Sequence, residues 1–110
     1  MTRRSEFVDY LVEGIESLGR ARARAMFGGF GLYLNDLMFG LVTDDELYLK
    51  TDRHVDRYFD ELELPHFQYE QNGKRKQMSY RRAPESILDD PEELREWAQR
   101  SYQVALRVRK

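Results

Sequence analysis

Residues 25–40, AMFGGFGLYLNDLMFG, set Gly28, Gly29 and Gly31 among aromatic and aliphatic side chains. Their neighbours decide the fold. Between a strand and a helix, such glycines would offer free N–H groups and a helix dipole to a phosphate. Between two strands, they serve a bulge, a sharp bend or a close backbone approach. Upstream, GRARARAMF alternates strictly: Ala21, Ala23, Ala25 and Phe27 fall on one side, Arg20, Arg22, Arg24 and Met26 on the other. Period two means a strand, and the small alanines suit a helix lying close against that face. Downstream, FGLYL, MFGLV and ELYLK read as three more short strands, joined by turns at Asn35-Asp36 and Thr43-Asp44-Asp45. Strands therefore flank the glycines on both sides. GGFG also matches neither dinucleotide nor P-loop spacing, and no Lys-Ser or Lys-Thr pair follows. The phosphate cradle is rejected in favour of a four-stranded antiparallel meander.

The rest of the chain supplies a covering layer and a hairpin. Ser5 caps a first helix whose Phe7, Val8, Leu11, Ile15 and Leu18 share a face, with Gly19 as its left-handed stop. A second helix fits DRHVDRYFDEL, capped by Asp52, with Val55, Tyr58, Phe59 and Leu62 together and Leu64-Pro65 ending it. HFQYEQ and KRKQMSYRR flank Asn72-Gly73, a strong hairpin signal. Phe67 and Tyr69 are expected to point inward from one arm, Met78 and Tyr80 from the other. Pro84 opens a short turn of helix through Ile87 and Leu88. Asp90 then caps a long helix with Pro91 first and Glu92 and Glu93 beside its positive end. Leu94, Trp97, Ala98, Ser101, Ala105 and Val108 form its apolar stripe, and Glu96 stands four residues before Arg100 in the favourable ion-pair order. The pattern predicts an α+β two-layer sandwich, an antiparallel sheet of meander plus hairpin packed against N-terminal, middle and C-terminal helices.

Bulk properties narrow the function classes. The 110 residues, 41% hydrophobic and 35% charged, are expected to form one globular domain. The absence of cysteine removes disulfide frameworks, thiolate zinc sites and cysteine nucleophiles, and fits a reducing compartment. Asp9 and Glu13 interrupt the start, so no signal peptide is expected, and no apolar run approaches the roughly 18 residues of a membrane span. A cytoplasmic location and no membrane association follow as expectations. The net charge of −2 gives no overall pull toward nucleic acid.

The catalytic inventory is empty. Asp52, His54 and Asp56 are two apart and do not share a helix face; His66 stands at the mouth of a strand. Neither histidine has the three or four converging ligands a metal needs. Ser79 and Ser86 lie in no nucleophile elbow, and the acidic clusters fall at turns and helix starts, where carboxylates act as caps. No catalytic residue, metal or cofactor is expected. The basic residues are more informative. If the alanines of β-period face helices, Arg20, Arg22 and Arg24 line the open face, joined by Tyr33, Tyr48 and Lys50. Arg75 and Arg81 follow if Met78 and Tyr80 are buried. Such a face suits contact with phosphates and bases. It equally describes a solvated sheet face, the reading that the negative net charge and missing RNP motif favour.

RAMFGGFGLYLNDLMFGLVTDDELYLKTD, and further on MSY with APESILDDPEELREWAQRS, resemble the N-terminal domain of TfoX/Sxy-type proteins. The resemblance runs from about Phe7 to about Val108 and rests on two separated motifs in the right order. Met26, Phe27, Gly28, Gly29, Gly31, Tyr80 and Trp97 carry it. Asn35-Asp36-Leu37 stands where Asp-Gly is usual, Phe30 where Tyr is common, and Arg81-Arg82 where an aromatic and an acidic residue are frequent. The resemblance implies a two-layer α+β domain and a part in regulating natural competence, alongside a cyclic-AMP receptor protein. It supplies no catalytic residues. Full-length members carry a second, helical domain; this sequence ends before one begins, so a stand-alone N-terminal domain is expected. The expected partner is a protein, transcription-related, or a like subunit, reached through the open face or a strand edge. Direct nucleic-acid binding is the alternative, and a small ligand near Gly28–Gly31 a third.

Overall fold

A computed structural model describes residues 5–26 and 28–109. Ser5 caps α1 (Glu6–Ile15), its hydroxyl accepting the Val8 N–H at 3.2 Å. A 3-10 turn (Glu16–Leu18) leads to β1 (Ala21–Met26), β2 (Gly29–Leu34), β3 (Leu37–Thr43) and β4 (Glu46–Lys50). Then come α2 (Asp56–Asp60), the hairpin of β5 (His66–Gln71) and β6 (Lys74–Arg82), a 3-10 turn (Glu85–Leu88) and α3 (Pro91–Val108). All six strands form one antiparallel sheet in the order β1-β2-β3-β4-β6-β5, the hairpin joining through β6 beside β4. Meander plus hairpin under helices is the architecture that the alternation and turn residues predict.

The turns form where short polar side chains tolerate positive φ. Asn35 and Asp36 (φ 49° and 69°), Asp44 and Asp45 (53° and 57°), and Asn72 and Gly73 (53° and 75°) each supply two successive left-handed residues. That geometry matches the right-handed twist of the strands it connects. Gly28, at φ 77°, turns β1 into β2. Gly29 is needed for a different reason: a Cβ there would meet the Val42 carbonyl oxygen at 2.1 Å.

One face of the sheet is covered. Val8, Leu11, Val12 and Ile15 of α1 and Leu94, Trp97, Ala98, Val104 and Ala105 of α3 pack on Leu32, Leu34, Phe39, Val42, Leu47 and Leu49. Phe59 of α2 closes one side, its ring edge-on to Trp97 at 5.0 Å. Asp90 caps α3 by accepting from Glu92 N–H and Glu93 N–H, with Pro91 in the first turn, as its sequence dictates.

Several local expectations are corrected. Gly19 lacks the αL geometry expected of a helix stop; at φ 156°, ψ −167° it holds a different positive-φ conformation that other residues rarely adopt, and it lies against Asn35, which brackets Arg20 through two hydrogen bonds. The second helix is a single short segment: residues 53–55 form turns, and the Asp52 carboxylate accepts the His54 N–H. Leu62, beyond its end, is 53% exposed. Val104 takes the buried place expected for Val108, which lies exposed in the last turn of α3. Arg100 makes no ion pair with Glu96; its guanidinium lies 3.9 Å from the Tyr58 ring centroid and 4.7 Å from that of Trp97. Ala21 and Ala23 pack under the helices, whereas Ala25 is exposed near the end of β1. The inward orientation expected for Phe27 lies outside the described residues.

Candidate functional site

The uncovered face of the sheet is built by the same alternation that builds the core. Directly opposed residues of an antiparallel pair share a face. Leu32 pairs with Gly40, Gly40 with Leu49, and Leu49 with Arg81, all on the helix-covered side. The alternate positions therefore look the other way: Arg22, Tyr33 and Met38 in one row, Arg24, Gly31, Leu41, Tyr48 and Arg82 in the next, then Lys50 and Tyr80. Of the residues expected on the open face, Arg22, Arg24, Tyr33, Tyr48 and Lys50 are there. Arg20, exposed just before β1, shares their parity.

The hairpin is the correction. Arg81 does not reach the open face. Its side chain is 7% exposed beneath the helical layer, where Nη1 donates to Asp60 Oδ1 at 2.8 Å and Nη2 and Nε donate to the Leu64 carbonyl at 2.7 and 3.1 Å. Asp56 stands at 3.5 Å, and the Phe59 ring lies under the guanidinium. Arg75, of the same parity, donates to Gln68 on the exposed hairpin. Tyr80 and Met78 are instead turned to the open face, and so is Phe67, whose ring meets Tyr48 edge-on at 5.0 Å. Residue polarity pointed the wrong way because α2 supplies two carboxylates, and Leu64 beyond it a carbonyl, that accept a buried arginine. The legible signal is the spacing of Asp56 and Asp60, four apart and so on one helix face.

A trough of about 660 Å³ runs over this face, lined by Met26, Met38, Leu41, Phe67, Tyr69 and Met78, with Thr43, Glu70 and Gln71 among its polar margins. Sequence reasoning passed over Met38 and Leu41 as trough residues. A bulge hides them: Leu32 pairs with Gly40 but Tyr33 pairs with Met38, leaving Phe39 as the extra residue. Strict alternation sets Met38 and Leu41 on opposite faces; the bulge puts both on the open one and drops Phe39 into the core. Gly31 lies on the trough side, where a Cβ would stand 3.2 Å from Met26 Sδ, Met38 Cε and Tyr33 Cε1.

Cations border the aromatic floor. Arg24 lies 5.8 Å from the Tyr33 ring centroid, and Lys50 Nζ lies 5.1 Å from that of Tyr80. Arg82 pairs with Glu46 at 2.7 Å, and Arg22 stands 3.8 Å from Asp36. Burial, with Tyr33 adding to it, pushes the Tyr80 hydroxyl up to about 12. Burial and then Glu46 likewise raise Tyr48, against the opposing pull of Arg82. Both phenols are therefore neutral donors near neutral pH. The glycine turn itself adds only a shallow polar hollow, with Ser5, Thr43, Asp44 and Asp45 around it. Among the described residues, no group of three or more His, Cys, Asp or Glu side chains could hold a metal ion. None of the described helices is long and apolar enough to cross a membrane.

The molecule is thus an antiparallel sheet with helices on one side and an aromatic, methionine-rich face on the other. The TfoX N-terminal domain model matches residues 13–105, and the chain belongs to that family. It is similar to DNA transformation protein TfoX1 of Aliivibrio fischeri, 46% identical over 55 residues, half of this chain and 26% of that protein. It is also similar to Protein Sxy of Escherichia coli, 27% identical over 95 residues, 86% of this chain and 46% of that protein. The chain spans less than half the length of these curated relatives.

Proposed function

We propose that this chain is a non-enzymatic regulatory module of the TfoX type, acting in the bacterial cytoplasm by contact with another protein through the open face of its sheet. The family membership and the name of the A. fischeri relative, a DNA transformation protein, support a role in competence-related regulation. The observation that carries the mode of action is the trough. Monomeric domains rarely leave an apolar surface of this kind uncovered unless something binds there. Its lining is chiefly apolar, with Thr43, Glu70 and Gln71 as the polar side chains.

Affinity capture with the full chain from a lysate of the source bacterium tests this, comparing wild type with Leu41→Glu and with Glu13→Lys on the exposed side of α1. A regulatory protein retained by wild type and Glu13→Lys, and lost with Leu41→Glu, is the expected result. Recovery of no specific protein under several salt conditions counts against the proposal.

Direct nucleic-acid binding is a second reading, supported by Arg22, Arg24, Tyr33, Tyr48 and Lys50 sharing one face. It is weakened by the ion pair of Arg82 with Glu46 and by the burial of Arg81 on the covered side. Anisotropy of a labelled single strand at low salt decides it. No binding, or no loss when Arg22 and Arg24 become alanine, removes this reading.

A further inference from the structure

We propose that the trough receives an amphipathic helix of a partner protein, apolar along the buried side and acidic on its flanks. This deepens the protein-contact reading and rests on it. Three observations select that occupant. First, the lining is soft. Met26, Met38 and Met78 stand around Leu41, Phe67 and Tyr69, and methionine adapts to the bulky side chains a helix presents at i, i+3, i+4 and i+7. Second, the extent suits a helix laid across the strands. The lining runs from Met26 on β1 to Phe67, Tyr69, Glu70 and Gln71 on β5, five strand spacings of about 4.8 Å, and a helix of 18 residues rises about 27 Å.

Third, the cations beside the trough favour acidic flanks, the acidic lining residue Glu70 standing at the β5 margin. Arg24 and Lys50 face this side with aromatic rings beneath them and no carboxylate partner among the described residues. Arg22 holds only a long, exposed contact with Asp36. The helices of a second copy do not fit. Its exposed large apolar residues, Leu62, Tyr69, Leu88 and Val108, are scattered, and Val108 lies between Arg107 and Arg109. No described helix therefore offers an apolar stripe with acidic borders to another copy's trough.

The test uses the full chain carrying 13C-methyl methionine and a displayed library of 18-residue helix-forming peptides, varied in apolar spacing and in flank charge. Expected are enriched peptides with Leu, Met or Phe at helical spacing and Asp or Glu on the flanks. In the wild-type protein, their binding should shift the Met26, Met38 and Met78 methyl signals together. Met78→Glu should weaken binding by about tenfold or more. Arg24→Glu should weaken it about threefold and move the preferred flanks toward lysine and arginine. The methyl map needs no variant, so a misfolded Met78→Glu leaves the test intact.

Unshifted methionine methyls, enrichment of extended or basic peptides, or a selection without binders would overturn the inference. So would single-stranded DNA, a small apolar compound or a second copy of the chain shifting those methyls where the peptides do not. If it fails while lysate capture still yields a protein lost with Leu41→Glu, the regulatory reading stands with a different occupant. If capture fails as well, both are removed.

Discussion

The two faces of the sheet are made from the same strands by the same alternation, yet they follow opposite rules. On the covered face, Leu32, Leu34, Leu47 and Leu49 are each at most 4% exposed, and even a guanidinium is buried, held by Asp60, Asp56 and the Leu64 carbonyl. On the open face, large residues stay half-buried against one another, and cations lie over rings. The contrast teaches that burial here follows from what lies across the interface. A charge beneath α2 is satisfied, whereas apolar side chains on the far side have no layer of described residues above them.

The comparison breaks first if equivalent leucines behave alike. Leu49→Ala removes a fully buried side chain and should cost about 3 kcal/mol in urea unfolding. Leu41→Ala, on the trough, should cost about 1 kcal/mol, since little packing is lost. Equal losses would mean that the trough belongs to the core. The arginines give the next test. Arg81→Ala strands the Leu64 carbonyl and two carboxylates that are partly exposed, an expected loss of about 2 kcal/mol. Arg24→Ala should change stability by less than about 0.5 kcal/mol.

A pH titration sharpens the contrast from the open side. The Tyr80 hydroxyl is raised from 10.0 to about 12, so folding favours its neutral form. Its contribution is fully present below pH 10 and is lost as pH climbs through the folded value. Wild type should lose stability between pH 10 and 12 more steeply than Tyr80→Phe; parallel curves would contradict the burial of this phenol. The smallest effect belongs to the covered side. Ser101 Oγ is buried with no hydrogen-bond partner among the described residues, so Ser101→Ala should leave stability unchanged or raise it by up to about 1 kcal/mol.

Much of this was legible in the sequence. The turn dipeptides, the alternation of RARARAM, the Asp90-Pro91 start and the Asn72-Gly73 hairpin are local signals, and each directed the backbone as its chemistry requires. The open-face positions of Arg22, Arg24, Tyr33, Tyr48 and Lys50 were equally readable, because strands β1, β2 and β4 keep regular alternation there. What escaped were features set by distant partners. Arg81 is buried because a helix more than twenty residues earlier accepts it. Met38 and Leu41 share a face only because one extra residue, Phe39, interrupts the pairing of β3 with β2. Neither effect has a period that a single strand could reveal.

The order of elements along the chain also bears on how the protein is made. Tight turns let each meander strand find its neighbour locally, and isolated hairpins close in about 1–10 μs. Trp97, Ala98 and Val104, which cover much of the sheet, belong to α3 and leave the ribosome after every strand. At roughly 5–20 residues per second, the 18 residues of α3 take about a second or more to follow, during which the strands have only α1 and α2 to cover their leucines. Passage through the cell therefore begins with a sticky intermediate, whose shelter is α3.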